Sequence, residues 1–453
     1  MQQLSRRHVA QRWLARLALA AAGAAVALPV AVAGLRSIVL VAVALGGTAV
    51  TAAGAWWVLT RRGVVRALAV VLTAVTPPAV LAYYDRADLL WVVVASLALW
   101  ALAVAAGRNA VRATRVHEVR LRERMAARPR RPFLIMNPRS GGGKVGDFAL
   151  KEKAEALGAR VVLLDPDRPQ DVAELARKAA DEGADLLGVA GGDGTQALVA
   201  GVAAQRGLPF LVICAGTRNH FAMDLGLDRA NPAACLDALR DGVELRVDLG
   251  YVGDRPFVNN VSFGAYAAVV SSPAYRDDKV GTILELLPDL LTRRAGPRLT
   301  ATAGDTVIEE PQAVLVSNNP YRTDDPAGLG RRDRLDTGLL GVIGVKVDNA
   351  AQAAGLLMGP RVASGLTEAT AREVVTTADA AEIDAGVDGE ALVLPTPVHC
   401  RISPGALRVR VPRVRPAPPA TGVRTDWRRL RRLALTMGRT AAGRPHRPGR
   451  LNA

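Results

Sequence analysis

The stretch ADLLGVAGGDGT, residues 184–195, decides how this chain is read. An apolar run ends abruptly in two glycines, a carboxylate, a third glycine and a threonine. A turn built on Gly191, Gly192 and Gly194 carries no β-carbons to hold a ligand away, so its main-chain N–H groups can face anionic oxygens at close range. Asp193 stands in the middle, where phosphates and a divalent cation meet. Taken alone, the same turn serves equally to carry a strand tightly into a helix. Two further stretches tip the balance. FLIMNPRSGGGKVG at 133–146 is another apolar run emptying into glycines. It is not a Walker A loop, because Pro138 stands where that motif needs glycine and Val145 follows Lys144 in place of Ser or Thr. LPFLVICAGTRNHFA at 208–222 is the third, ending in Gly216, Thr217 and Asn219. Three strands that deliver glycines and small polar residues at their carboxyl ends describe a binding crevice along one edge of a parallel sheet.

Outward from these loops the pattern alternates. A strand at 132–137 is followed by a helix over 146–157, a strand at 161–165 and a helix capped by Asp171 and stopped by Gly183. The strand before GGDGT, a helix at 195–205, a strand at 209–214 and a helix from Asn231-Pro232 to Gly242 continue the rhythm. Strand–helix alternation of this kind predicts a parallel sheet with helices on both faces, a three-layer α/β nucleotide-binding domain over 132–245. From 246 the signals change to short β-like runs at 245–252, 256–262, 298–303, 313–317, 339–347, 373–377, 382–384, 391–394 and 398–403. These predict a β-rich acceptor-binding domain over 246–412.

The N-terminal 107 residues are of another kind. Apolar stretches at 17–35, 37–60, 64–84 and 88–107 each approach the roughly 20 residues that a helix needs to cross a bilayer. Arginines sort between them: Arg6, Arg7, Arg12 and Arg16 before the first, Arg61 and Arg62 between the second and third, and a basic run from Arg108 after the fourth. The alternate connections hold only Arg36, or Asp85, Arg86 and Asp88. The positive-inside rule then predicts a four-helix transmembrane bundle with both ends in the cytoplasm, hence a multi-pass protein of the cell membrane whose catalytic domain faces the cytoplasm. Pro77-Pro78 should kink the third span. From 17 to 107 there is no histidine, and the only acids, Asp85 and Asp88, stand at the connection between the third and fourth spans, so the spans serve as an anchor. The net charge of +16 is uneven. Nine arginines stand against two acids in the juxtamembrane linker 108–131, and thirteen against one in 408–453, most of which forms a Pro/Arg-rich tail from 413. Residues 132–407 are acidic. An acidic body argues against a nucleic-acid partner, and the basic flanks suit anionic lipid headgroups, at about 1 kcal/mol per basic residue near the membrane. A short basic helix at 427–437 fits the same surface. Cys214, Cys235 and Cys400 are scattered, without metal-ligand spacing. Nothing in the sequence sets the oligomeric state.

NPRSGGGK, GGDGT and AGTRN, in this order, resemble the catalytic domain of diacylglycerol kinases, whose superfamily includes sphingosine kinases, bacterial lipid kinases and, more remotely, NAD kinases. SNNPY at 317–321, LDTGLL at 335–340 and VDGE at 387–390 are similar to its later motifs, so the resemblance covers 132–412. It implies that ATP phosphates are held by Asn137, Ser140, Gly141, Gly142, Gly191, Gly192, Asp193, Gly194, Thr195, Gly216, Thr217 and Asn219. It implies Mg²⁺ near Asp193, a second metal position at Asp336, and Asp388 as the base toward the acceptor hydroxyl with Glu390 beside it. The chain departs from the family pattern at Ala197 and Leu198, where Asn-Glu is usual, at His220 in place of an acid, and at Thr337 beside Asp336. Asp224, Asp228, Asp324 and Asp325 are read as surface or capping acids. The resulting expectation is an ATP- and Mg²⁺-dependent, membrane-anchored lipid kinase acting on a lipid hydroxyl, with diacylglycerol as the expected acceptor and phosphatidic acid as the product. A kinase of a soluble metabolite such as NAD, and a non-catalytic nucleotide-binding regulator, are the alternatives.

Overall fold

A computed structural model of the 453-residue chain describes residues 2–34, 36–112, 122–168, 170–264, 297–322, 331–346, 365–415, 431 and 434–435. Residues 113–121 of the expected linker, Asp324, Asp325 and nearly all of the expected tail with its 427–437 helix lie outside the described residues. The chain forms two compact units, one from the bulk of the N-terminal helices and one from Val119–Thr421 with Ala55–Ala69.

The N-terminal helices are α1 (Gln2–Ala33), α2 (Arg36–Thr60), α3 (Gly63–Arg86) and α4 (Leu90–Arg112), so the expected boundary at 107 falls inside α4. All four are long and apolar enough to cross a membrane, and at most 22% of any such span is buried. The outward faces carry Val26, Ile38, Leu45, Leu68 and Leu97, which suits hydrocarbon rather than water. α1 packs along α4. α2 meets α3 closely at Gly47, where a β-carbon would stand 2.5 Å from Val80 Cγ2. Tyr84 Oη donates to the Leu40 carbonyl at 2.7 Å, joining the same two helices. α3 runs through Pro77 and Pro78 as one helix.

The second unit opens with β1 (Arg124–Met125), β2 (Pro132–Met136), α5 (Lys144–Asp147), α6 (Leu150–Ala156), β3 (Arg160–Leu163), α7 (Val172–Asp181), β4 (Leu186–Ala190), α8 (Asp193–Arg206), β5 (Pro209–Ile213) and α9 (His220–Asp224), then a 3₁₀ run at Pro232–Leu239. Strands β2–β5 pair in parallel in the order β3-β2-β4-β5. PFLIM and LLGVA are buried at every residue, which is why they read as continuous apolar runs. Gly188 in β4 leaves room for its neighbours: a β-carbon there would stand 2.5 Å from Leu134 Cδ2. Asp171 caps α7 by accepting from Glu174 N at 2.9 Å, as its position predicts. The helix expected over 146–157 breaks into α5 and α6 at Ala149, whose φ is +48°. The helix expected from Asn231 is the 3₁₀ run.

The chain continues through β6 (Gly242–Val252), β7 (Arg255–Phe257), β8 (Asn260–Gly264), β9 (Leu299–Ala303), β10 (Thr306–Glu309), β11 (Ala313–Asn318), β12 (Leu340–Val345), β13 (Leu366–Ala371), β14 (Glu373–Ala378), β15 (Glu382–Val387), β16 (Glu390–Pro395) and β17 (Val398–Pro412). β17 joins the two regions. Its Arg408–Arg410 segment pairs in parallel with Pro209–Leu211 of β5, while the same strand pairs antiparallel with β6 and β14. The first sheet therefore extends in the order β10-β9-β14-β17-β5-β4-β2-β3, and the boundary expected at 245/246 falls inside β6. A second, antiparallel sheet has the order β13-β12-β11-β8-β15-β16. One core fills the α/β region; another lies between the two sheets, with Phe257, Ile308 and Val374 from the first facing Phe263, Val316 and Ile383 from the second. The Sγ atoms of Cys214 and Cys235, which the sequence shows as scattered, lie 3.3 Å apart and buried.

Candidate active site

The loops that follow β2, β4 and β5 touch one another. In the first, Asn137 donates its backbone N–H to the Ala190 carbonyl at 2.9 Å, accepts from Ser140 N at 3.1 Å, and turns its Oδ1 to Arg139 N at 3.0 Å. Gly141, Gly142 and Gly143 follow with φ of +58°, +81° and +103°, a region open to glycine at little cost. A β-carbon at Gly141 would overlap the Ala215 carbonyl oxygen at the end of β5, and one at Gly216 would stand 2.9 Å from both the Gly191 oxygen and Gly192 Cα. Asn219 Nδ2 and Gln196 Nε2 both donate to that Gly191 oxygen, at 2.9 and 3.0 Å. Thr195 packs against Gly191, Thr217 is exposed, and open space faces Gly142, Gly143 and Gly192. Three strand ends thus form one glycine-walled hollow.

Asp193 starts α8 at the floor of this hollow and is 9% exposed. Its Oδ2 accepts from His220 N at 3.2 Å, while its buried Oδ1 has no hydrogen-bond partner among the described residues. A buried carboxylate oxygen without a donor is a fit for a cation, since such atoms otherwise find a partner. Burial lowers the pKa of the His220 ring from its ordinary value, against the pull of Asp193 and Asp224, which favours the neutral ring at the position where an acid is usual.

Asp388 sits in the turn between β15 and β16 with φ +48°. Its Oδ2 accepts from Val258 N at 2.8 Å, and its Oδ1 from Asn259 N and Asn260 N at 2.8 and 3.1 Å. Burial pushes its pKa up to about 7; the three N–H donors pull the other way, and the negative Asp193 pushes it up again. The two carboxylates therefore feel one another. Glu390 closes the gap from the other side: a β-carbon at Gly194 would overlap Glu390 Oε1, and Glu390 pairs with Arg255 of β7. The turn that reads as VDGE in sequence is folded onto the first turn of α8.

The 258–260 strap that holds Asp388 is itself clamped from below. Arg332, whose side chain is fully buried, donates to the Val258 carbonyl at 2.6 Å, the Asn318 carbonyl at 2.8 Å and Asn259 Oδ1 at 2.8 Å. Its Nε meets Asp224 Oδ2 at 2.7 Å. Asp224, read from sequence as a surface or capping acid, is instead a buried ion-pair partner. Burial is the first influence on its carboxyl and raises its pKa, while Arg332 opposes this. Tyr321 of the SNNPY stretch accepts from Asn260 Nδ2 at 2.9 Å.

Asp336 lies in another setting. It accepts from Arg334 Nε at 2.8 Å, and among the described residues no group of three or more His, Cys, Asp or Glu side chains is placed to hold a metal. Its loop is held by protein: Asp248 accepts from Gly338 N and Gly405 N, each at 2.7 Å, and Asn319 Oδ1 accepts from Thr337 N and Oγ1 at 2.8 and 2.6 Å. Asp228, as expected, caps a local turn through Ala230 N at 2.8 Å.

The glycine loops and their order find a counterpart among known proteins. Residues 131–252 match the diacylglycerol kinase catalytic domain. A diacylglycerol kinase of Mycobacterium tuberculosis is 33% identical over 123 residues, 26% of this chain and 40% of that one. A diacylglycerol kinase of Bacillus subtilis is 34% identical over 134 residues, 29% of this chain and 44% of that one. The chain thus spans less than half the length of these relatives. Among solved structures, a diacylglycerol kinase from Bacillus anthracis aligns with a TM-score of 0.46 at 19% identity, covering 63% of this chain and 97% of that one. A putative diacylglycerol kinase of the same organism aligns with a TM-score of 0.49 at 20% identity, covering 63% and 98%. The diacylglycerol kinase match ends at 252, short of Asp388, so the place of that residue rests on the geometry above. Sequence reasoning missed Gln196, Arg255, Arg332 and the strap. Gln196 stands one residue past GGDGT and was within reach of a motif reading; the strap acts through main-chain N–H groups and leaves no side-chain signature.

Proposed function

We propose that the chain is a membrane-anchored lipid kinase that transfers the γ-phosphoryl group of ATP to a lipid hydroxyl, with diacylglycerol as acceptor and phosphatidic acid as product. The observation that carries this reading is the meeting of two distant motifs: Glu390 of the VDGE turn lies against Gly194 of GGDGT, so Asp388 and Asp193 share one neighbourhood. The phosphates lie along Gly141, Gly142, Gly191, Gly192 and Gly194, with Asn137, Ser140, Thr195, Gly216, Thr217 and Asn219 shaping the walls. Mg²⁺ held at Asp193 Oδ1 would supply positive charge to the phosphates as the bond to the leaving group lengthens.

Asp388 does the proton work. An ionised carboxylate offers about four lone-pair positions, and the strap occupies three, which leaves one for the acceptor hydroxyl. As the hydroxyl oxygen bonds to the γ-phosphorus, its proton passes to Asp388 and the phosphorus–oxygen bond to ADP breaks. Glu390, tied to Arg255, keeps the turn on α8. Four apolar helices long enough to cross a bilayer favour a lipid acceptor over a soluble one, since only the former gains from the tether. The test is transfer of label from γ-labelled ATP to a panel of detergent-dispersed lipids, with NAD alongside. Labelled phosphatidic acid is the expected product; folded protein with Mg²⁺ that labels no lipid overturns the reading.

A further inference from the structure

A second polar cavity lies at the opposite edge of the parallel strands. The glycine hollow sits at the carboxyl ends of β4 and β5; this cavity, of about 540 Å³, is lined by residues at their amino ends, Leu186 and Pro209, and by Arg128, Arg130, Arg408 and Arg410 with Asp185 and Glu244. A five-residue strand separates the two edges by about 16 Å.

Arg410 decides what this cavity is for. It is 2% exposed, donates from Nε to the Ala238 carbonyl at 2.7 Å and from Nη1 to the Ala127 carbonyl at 2.8 Å, and its buried Nη2 has no partner among the described residues. Buried guanidinium donors are expected to be paired. The two carboxylates nearby are engaged. Asp185 accepts from the backbone N–H of Arg130 and Arg131 at 2.6 and 2.9 Å. Glu244 binds Arg408 at 2.8 Å and is 3.9 Å from Arg410 Nη1. Among the described residues the Arg130 guanidinium at the exposed rim has no partner, and Arg128 reaches only the Leu157 carbonyl, at 3.3 Å. Four arginines against two carboxylates leave an excess of positive charge around one orphaned donor. Gly242 permits the arrangement, since a β-carbon there would stand 2.8 Å from Arg410 Nε.

We propose that this cavity is a second, non-catalytic anion site that takes a phosphate group through Arg410 Nη2, Arg128 and Arg130. Bidentate and charge-assisted donors of this kind suit phosphate, whether free or as the headgroup of an anionic lipid. The site does not depend on the kinase reading, and its test does not use turnover. The full chain in nanodiscs is followed by hydrogen exchange at the amides of Ala126–Arg130 and Gly207–Leu208. One arm adds inorganic phosphate to phosphatidylcholine discs; the other replaces part of the phosphatidylcholine with phosphatidic acid. Protection in the first arm identifies a soluble phosphate as ligand, and protection only in the second identifies a headgroup. In either case the R128Q/R130Q double variant, altered at exposed positions that leave the core intact, should weaken the effect by about tenfold or more, the equivalent of about 1.4 kcal/mol. Arg410→Met should abolish it, and the double variant keeps the test decisive if Arg410→Met does not fold. Protection in neither arm, or equal protection in wild type and the double variant, overturns the proposal and leaves a water molecule as the partner of Nη2.

Discussion

Asp388 is subject to opposed influences that set its working range. Three backbone N–H donors favour its charged form, while burial and the charge of Asp193 favour the protonated one, and the balance stands at about 7. A group that accepts a proton must start without one. On the proposed mechanism kcat/KM therefore rises about tenfold per pH unit below 7 and levels off above it, as a pH-rate profile would show. A flat profile from pH 5.5 to 8 would contradict the assignment. The same shift has a thermodynamic side. Because the folded carboxyl holds its proton more tightly than the unfolded one, its contribution to stability is present below about pH 4 and is lost as pH rises through about 7. Asp388→Asn should lower kcat by about 10²–10⁴ while nucleotide binding, measured by calorimetry, stays within a few-fold. Gly194 allows a gentler test. An added methyl group there collides with the end of the Glu390 side chain, which can swing away but only by leaving Arg255. Gly194→Ala should thus change stability by no more than about 1 kcal/mol, since alanine also favours the helix. Its kcat should fall, about tenfold if the Glu390–Arg255 pair matters as proposed, because the VDGE turn loses its seat.

At the scale of elements, what could be read from the sequence was what is local. Asp171 announces the start of α7 because an N-cap needs only its own side chain and the N–H three residues on. Asp171→Ala should cost about 1 kcal/mol in a denaturant titration. Gly188→Ala should cost more, about 1–3 kcal/mol, because the new methyl group has only the packed Leu134 and Leu211 to push against. Unequal losses in this order would separate a surface cap from a core contact. The glycine loops were legible for the same local reason, each ending an apolar run. What could not be read was which strand pairs with which. VHCRISPGALRVRVP has the alternation of a strand along its length, yet nothing in it says that its second half lies parallel to β5 while its first half pairs with β14. Pairing partners are set by the hydrophobic face buried and by connections far along the chain. TVIE and LTEATA escaped notice because one is four residues long and the other has a single large apolar residue, Leu366, so neither carries a strong apolar period. The Asp388 strap shows the same limit from the side of function: the motif search finds the carboxylate, but not the main-chain donors that hold it or the buried Arg332–Asp224 pair beneath them.

For the whole molecule, charge placement makes a claim that packing does not touch. α1 to α4 expose apolar side chains over most of their surface, and each is long enough to cross a bilayer. Four crossings would put both ends of the bundle on one side, and the arginines predict which. Arg12 and Arg16 lie at the start of the first span and Arg61 and Arg62 form the α2–α3 turn, whereas the end of α3 carries Asp85 and Arg86 and the α3–α4 turn Asp88. On the membrane-anchored reading proposed above, retention of Lys and Arg in the cytoplasm would orient the second unit, with its glycine-walled hollow, toward the compartment that supplies ATP. Single-cysteine labelling tests this directly, and the three native cysteines are buried, so they need no replacement. Ala87→Cys in the α3–α4 turn should react with a membrane-impermeant maleimide in intact cells. Arg61→Cys in the α2–α3 turn should react only after lysis. The reverse pattern would place the hollow outside the cell, away from nucleotide, and a kinase dependent on ATP could not then work from this anchor.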